Sequence, residues 1–295
     1  MPELPEVETI RHQLAPLVEG RTIEQVEVLD PRWSRPLAPG ELEDALRGRR
    51  ILRLGRRGKY LVWELSDDVY LAQHLRMTGA VLVEPDPEPV HTRVRLVLGP
   101  RRSSSRDRLQ LVVSDPRRFG TGELLLGAEE LERFFDSRLG LEPFDPGFTT
   151  AHLRGLARGR RAPIKSLLLD QRRVAGVGNI YADEALFRAG IHPLRAAGTL
   201  STEQLERLRE GVIGSLSAGI DARGASIDDF RHVDGVKGSF QDQFLVHLRA
   251  GEPCIRCGTP IVKISAAGRG TYVCERCQRP PRGRRGTTAA RRGAG

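Results

Sequence analysis

The feature that most narrows what this chain can fold into is the placement of its cysteines. Cys254, Cys257, Cys274 and Cys277 are the only four in the sequence, and they read C-x2-C-x16-C-x2-C. A C-x2-C knuckle turns tightly enough to aim two thiolates at one point, and two knuckles complete a tetrahedron around one Zn²⁺. Four sulfur ligands close the coordination sphere, so such a zinc is structural and leaves no open position for chemistry. Two disulfides or a redox pair are the alternatives, but a disulfide scaffold would spread more cysteines through a smaller chain. Between the knuckles, "AAGRGTYV" reads as a hairpin with Arg269 at its tip.

The rest of the chain is too long for one typical domain. At 295 residues with 39% hydrophobic content, two or three units with real cores are expected. No run approaches the roughly 20 apolar residues that span a bilayer. The first twenty residues carry both charge signs and lack the apolar core of a signal peptide. A cytoplasmic, nucleoid-associated protein with no membrane partner is the expectation. The formal net charge is +9, a common footprint of polyanion binding. Part of that excess lies in the tail "PRGRRGTTAARRGAG", which has no apolar periodicity and is expected to be disordered over 281–295.

Val7, Ile10, Leu14 and Leu17 fall on one helical face near the start, and Gly20 closes that segment. Short strand-like runs follow, from "TIEQVEVL" through "KYLVWEL" and "VYLAQHL" to "ELLL". They predict an N-terminal β-sandwich with flanking helices over 1–140. "LEPFDPGF" (141–148) reads as a linker. Helical patterns then dominate 149–249, and the cysteine-bearing piece occupies 250–280. The fold class is thus α+β and multidomain.

Two turns carry candidate chemistry. "DQRRVAGVGNIYADE" (170–184) sets Gly176 and Gly178 between two helices, where bare backbone could approach a phosphate at a helix N-terminus, with Asn179 as an added donor. An ordinary helical corner would use glycine in the same way. Arg160, Arg161, Lys165, Arg172 and Arg173 lie close by in sequence. "SDPRRFG" (114–120) puts two arginines and Phe119 at a turn between strands. An arginine beside an aromatic wedge can enter a base stack. Taken alone, a solvated arginine pair with Phe119 in the core is the commoner outcome.

The opening "MPELPEVETI" also has two readings. Proline and acids in a first helical turn are favoured on capping grounds alone. Loss of Met1, however, would make Pro2 a free secondary amine beside Glu3. An α-amino group titrates near 7.7–8.0, so an appreciable fraction is neutral and nucleophilic at pH 7.

"PELPEVET", "GRRGKYL" (55–61), "HLRMTG" (74–79), "DPRRFG" (115–120), "GVGNIYADE" (176–184) and "GRGTYVCERCQ" (268–278) occur in that order. On these motifs, which run from residue 2 to about 280, the chain resembles the bacterial formamidopyrimidine-DNA glycosylases (Fpg, or MutM) of the Fpg/Nei family. The resemblance implies a helix–two-turn–helix (H2TH) domain after the sandwich and a zinc-finger hairpin at the end. It implies a bifunctional DNA glycosylase and abasic-site lyase, a monomer acting on double-stranded DNA with oxidised bases or abasic sites. One structural Zn²⁺ and no organic cofactor are implied. The activity would remove 8-oxoguanine opposite cytosine and formamidopyrimidines, then cut the strand by β,δ-elimination. An endonuclease VIII-like enzyme for oxidised pyrimidines and a non-catalytic zinc-ribbon DNA-binding protein are the rival readings.

By the same resemblance, Pro2 matches the Schiff-base nucleophile and Glu3 the proton donor. Lys59 matches the lysine that donates a proton in β-elimination and meets backbone phosphate. Arg269 matches the hairpin arginine that grips phosphates and assists δ-elimination. Met77, Arg117 and Phe119 match the residues that fill the space left by an extruded base, Arg117 reading the orphaned cytosine and Phe119 wedging the stack. Asn179 matches a phosphate ligand, and His91, Arg160 and Lys165 match further DNA-contacting positions. Two departures stand out: Asp228 makes the base-capping loop acidic, and His247 occupies a position where tyrosine is frequent.

Overall fold

A computed structural model describes residues 2–101, 107–226, 233 and 238–281. It divides into two compact units: residues 1–145, 170–178 and 214–243 form the first, and 146–169, 179–213 and 244–295 the second.

The first unit opens with helix α1, Leu4–Val18. Glu3 adopts an extended N-cap conformation, and its N–H donates to the Glu6 carboxylate at 2.8 Å, satisfying one of the orphan donors of a first turn. The buried face is Val7, Ile10, Leu14 and Val18. Leu17, expected on that face, is instead partly exposed, because Val18 continues the three-to-four spacing of the inner stripe better. Each such side chain contributes about 2 kcal/mol on burial.

Two antiparallel four-stranded sheets follow, in orders β1-β6-β7-β5 and β2-β3-β4-β8. The strands are β1 Ile23–Val28, β2 Ile51–Arg57, β3 Tyr60–Leu65, β4 Val69–His74, β5 Ala80–Val83, β6 Thr92–Leu98, β7 Leu109–Ser114 and β8 Thr121–Leu126. Val26, Leu96, Leu111 and Val113 from one sheet and Leu61, Trp63 and Leu71 from the other share a core with α1, which makes the expected sandwich. Strand β3 is apolar almost throughout because both its faces are covered. Leu61, Trp63 and Leu65 enter that core, while Tyr60 and Val62 pack with Phe134 and Phe135 of α3, Ala128–Asp136. A helix that sequence reasoning passed over, α2 (Pro39–Leu46), buries Leu42 and Leu46. Its signals are a proline in the first turn and Glu41 accepting from the N–H of Ala38.

The second unit contains α4 (Thr150–Ala157), α5 (Ile164–Leu169), α6 (Asn179–Ala189) and most of the long α7 (Thr202–Asp221). It ends in a two-stranded antiparallel hairpin, β9 (Val262–Ala266) and β10 (Arg269–Val273). Ala267 and Gly268 both have positive φ, the signature of a two-residue turn whose twist matches its strands. The tip is therefore Ala267–Gly268. Arg269, expected at the tip, is the first strand residue and pairs with Ala266. Among the described residues no helix is long and apolar enough to cross a membrane.

Candidate active site and nucleic-acid interface

In the first unit, Pro2 and Glu3 are buried at the head of α1. The glycine turn closes on them. Leu4 N–H donates to the carbonyl of Gly176 at 3.1 Å, and Gly176 has φ +90°. A Cβ on Gly176 would lie 2.5 Å from Leu4, and a Cβ on Gly178 would lie 2.3 Å from the carboxyl carbon of Glu3. The bare backbone of these glycines thus admits the N-terminal segment of the chain itself. The close approach expected of a ligand at these glycines is occupied here by Glu3 and Leu4.

Lys59 is buried in the two-residue turn between β2 and β3. Gly58, before it, takes φ +57° and donates its N–H to Glu142 in a short hydrogen bond. Arg56 fastens the same turn. It donates to Glu142 at 2.9 and 3.0 Å, to Glu8 of α1 at 2.8 Å and to the carbonyl of Gly58 at 2.9 Å. Burial alone would lower the Arg56 pKa, but the Glu142 and Glu8 carboxylates carry it upward, so the cation is fixed. One arginine therefore ties the lysine turn to the helix that carries Pro2 and Glu3.

Met77, His91, Arg117 and Phe119 come from three loops that meet at one buried residue, Asp115. Its oxygens accept from the Thr78 hydroxyl at 2.5 Å and from the N–H groups of Phe119 and Gly120 at 2.8 and 2.7 Å. Its own N–H donates to the carbonyl of His91 at 3.0 Å. Folding the turn around Asp115 leaves Phe119 51% exposed, with the Arg117 guanidinium 4.9 Å from its ring centre. The core placement of Phe119, commoner for its type, does not occur. Sequence reasoning missed Asp115. Its signal was the Asp-Pro pair, since a short carboxylate commonly binds backbone N–H groups two to five residues on. His74 lies 8% exposed beneath these loops, and its Nδ1 accepts from Arg76 N–H at 2.9 Å. Burial, then the Arg76 and Lys59 cations, pushes it down to about 3.

In the second unit, Asn179 begins α6 and donates to the carbonyl of Gly270 at 3.0 Å. Arg160 is half-buried and Arg269 exposed. Lys165 does not stand at the surface. It is 0% exposed, its ammonium donating to Asp183 at 2.6 Å and Thr271 at 2.7 Å. The structure therefore does not place the Lys165 ammonium at the exposed position expected of a phosphate contact. Asp228 lies outside the described residues.

The four cysteine sulfurs lie within 4.8 Å of one another, with Cys257–Cys274 at 3.5 Å and Cys254–Cys277 at 3.9 Å. Zn–S bonds of about 2.3 Å in a tetrahedron require sulfurs about 3.8 Å apart, so the set fits one Zn²⁺.

Three family models cover the chain in sequence. The formamidopyrimidine-DNA glycosylase N-terminal domain matches residues 1–122, the formamidopyrimidine-DNA glycosylase H2TH domain matches 139–231, and the zinc finger found in FPG and IleRS matches 251–280. The chain belongs to the formamidopyrimidine-DNA glycosylase family. It is 45% identical to the formamidopyrimidine-DNA glycosylase of Heliobacterium modesticaldum over 95% of this chain and 100% of that one. It is 44% identical to the Thermus thermophilus enzyme over 94% and 98%. Among solved structures, a Lactococcus lactis FPG mutant in complex with Fapy-dG-containing DNA superposes with a TM-score of 0.86 at 36% identity, covering 95% of this chain and 100% of that one. Family membership makes this chain a DNA glycosylase of base excision repair with one structural zinc.

Proposed function

We propose that the chain excises oxidised purines, chiefly 8-oxoguanine opposite cytosine and formamidopyrimidines, from double-stranded DNA and then cuts the strand by β,δ-elimination. It works as a monomer in the cytoplasm, at the nucleoid, with a catalytic sandwich over 1–140, an H2TH domain over 149–249 and a zinc hairpin over 250–280. The observation that supports this reading most is the head of α1. Pro2 directly precedes Glu3, whose carboxyl is packed against the Gly178 backbone, an arrangement that capping alone does not require.

With Met1 removed, the Pro2 nitrogen attacks C1′ of the damaged nucleoside. The glycosidic bond breaks and its electron pair leaves with the base, which takes up a proton. Glu3, held in place, supplies or shuttles protons as the sugar opens. The resulting iminium draws electrons from the sugar, so a C2′ proton is lost and the 3′ phosphate departs, followed by the 5′ phosphate. Lys59 serves the first elimination and Arg269 the second. Extruding a base costs a few kcal/mol, which Met77, Arg117 and Phe119 offset by filling the stack. Asn179, Arg160 and His91 hold phosphates. Borohydride trapping on a duplex with one 8-oxoguanine opposite cytosine tests the reading. A covalent adduct that vanishes when Met1 is retained supports it, and no adduct from zinc-loaded protein with a free Pro2 terminus sinks it.

A second substrate class deserves a direct comparison, because a relative in this family, wild-type Lactococcus lactis FPG, was crystallised with oxidised-pyrimidine-containing DNA. Faster excision from an oxidised-pyrimidine duplex than from an 8-oxoguanine duplex would reverse the order proposed here. A non-catalytic DNA-binding role has no use for Pro2, Glu3 and Lys59 together.

A further inference from the structure

The buried group around Asp183 is larger than a helix end needs. Asp183 is 0% exposed and sits one helical turn after Asn179 on α6. Its Oδ1 accepts from the Lys165 ammonium at 2.6 Å. Its Oδ2 meets His247 Nδ1 at 2.8 Å and the N–H of Tyr272 at 3.3 Å. A carboxylate only accepts, so Nδ1 of His247 carries the proton. The backbone that presents His247 is itself fixed, since the N–H groups of Leu245, Val246 and His247 donate to Glu184 at 3.0–3.1 Å.

These contacts converge on β10. Gly270 is held by Asn179, Thr271 by Lys165, and Tyr272 by Asp183. The Thr271 hydroxyl, while accepting from Lys165, donates to the carbonyl of Arg269 at 3.0 Å. A continuous path therefore runs from Asp183 through Lys165 and Thr271 to the backbone of Arg269. Thr271 and Arg269, two apart on a strand, share one face. Buried charge of this kind is costly unless fully paired, and here three of the contacts fall on consecutive residues of the strand that carries the exposed arginine.

We propose that Asp183 is a positioning residue for the DNA-binding pair Asn179 and Arg269, acting through Lys165, Thr271 and His247 to fix β10 against α6. This rests on the reading of Arg269 as a phosphate-binding residue. It also gives Lys165 its part: the lysine aims the phosphate ligand and does not meet DNA. His247, where tyrosine is frequent, adds a ring N–H to the same carboxylate.

The test is a double-mutant cycle on zinc-loaded protein, reading the salt dependence of binding to a duplex with an abasic-site analogue. Each phosphate contact contributes about 0.9 to the slope of log K against log salt. Arg269→Ala should flatten the slope by about one contact. Asp183→Asn, with zinc content unchanged, should flatten it similarly and weaken binding about tenfold. The double variant should bind more tightly than the product of the two single losses, because the arginine's contact can be lost only once, and what further loss remains is the share carried by Asn179. Multiplying losses in the double variant, or a wild-type slope in Asp183→Asn, overturns the positioning role. A wild-type slope in Arg269→Ala overturns the phosphate-binding reading beneath it. Should Asp183→Asn fail to fold, Thr271→Val breaks the path beyond the ion pair and must reproduce the same non-additivity.

Discussion

Gly178 and the carboxyl group of Glu3 are in such close approach that a Cβ on the glycine would lie 2.3 Å from the Glu3 carboxyl carbon. Glu3 is 2% exposed, so its side chain has no open solvent into which to retreat. Gly178→Ala should cost about 1–3 kcal/mol as an overpacked site. It should also lower single-turnover excision by at least an order of magnitude, since about 1.4 kcal/mol of misplacement is tenfold in rate. Rapid-quench kinetics beside denaturant unfolding separate the two effects. Unchanged excision in a destabilised variant would remove Glu3 from the chemistry.

Asp115 and Phe119 make opposite predictions from one turn. Asp115→Ala leaves buried N–H groups without their acceptor and should destabilise the protein by about 2–4 kcal/mol. Phe119→Ala removes an exposed ring and should change stability by less than about 0.5 kcal/mol. If the ring stacks on DNA, the same change weakens binding to a lesion duplex by about 1–3 kcal/mol. Urea titrations and equilibrium binding on both variants check this. A large stability loss in Phe119→Ala would return the ring to a structural role.

Stability should fall on acidification between pH 6.5 and about 4. Burial holds His74 at about 3 and His192 at about 4 in the folded protein, against 6.5 when unfolded. In that window the unfolded chain binds protons that the folded chain refuses. Each histidine therefore contributes about 1.4 kcal/mol of lost stability per pH unit once pH is below 6.5, and no slope above it. His74→Asn keeps an acceptor for Arg76 N–H while removing the titration. Its unfolding free energy, followed from pH 7 to 4.5, should lose one histidine's share of the slope; an identical slope would show that His74 is not held neutral.

Removing zinc should abolish lesion binding and leave the sheets of the first unit intact. Cys254 and Cys274 are packed with Phe187, Val246, Ile261 and Tyr272 in a small core that cannot sustain itself without the metal. Chelation with circular dichroism and duplex binding read in parallel checks this. Retained binding at zero zinc content would contradict it.

The elements were legible in the sequence where periodicity was strong. All eight strands of the sandwich stand on runs of alternating or continuous apolar residues, and α1 on a three-to-four repeat. Helix α2 was not, because only Leu42 and Leu46 mark it and its capping signals were overlooked. The zinc ligands could be read from spacing alone. Lys165 could not, since a basic residue among arginines reads as surface. Only the approach of Asp183, 18 positions later, turns it inward. Asp115 was hidden for a similar reason, as its partners are backbone N–H groups that every residue possesses.

The division of the chain into units carries a consequence for how the molecule is made. The first unit is assembled from three separate stretches, and the last of them ends at residue 243. A ribosome has therefore released most of the second unit's helices before the first can be completed. Contacts so distant in sequence are slow to form, and an emerging sandwich waits with unfinished surfaces. Truncation at any point between 145 and 243 should then yield aggregation in place of a smaller soluble enzyme.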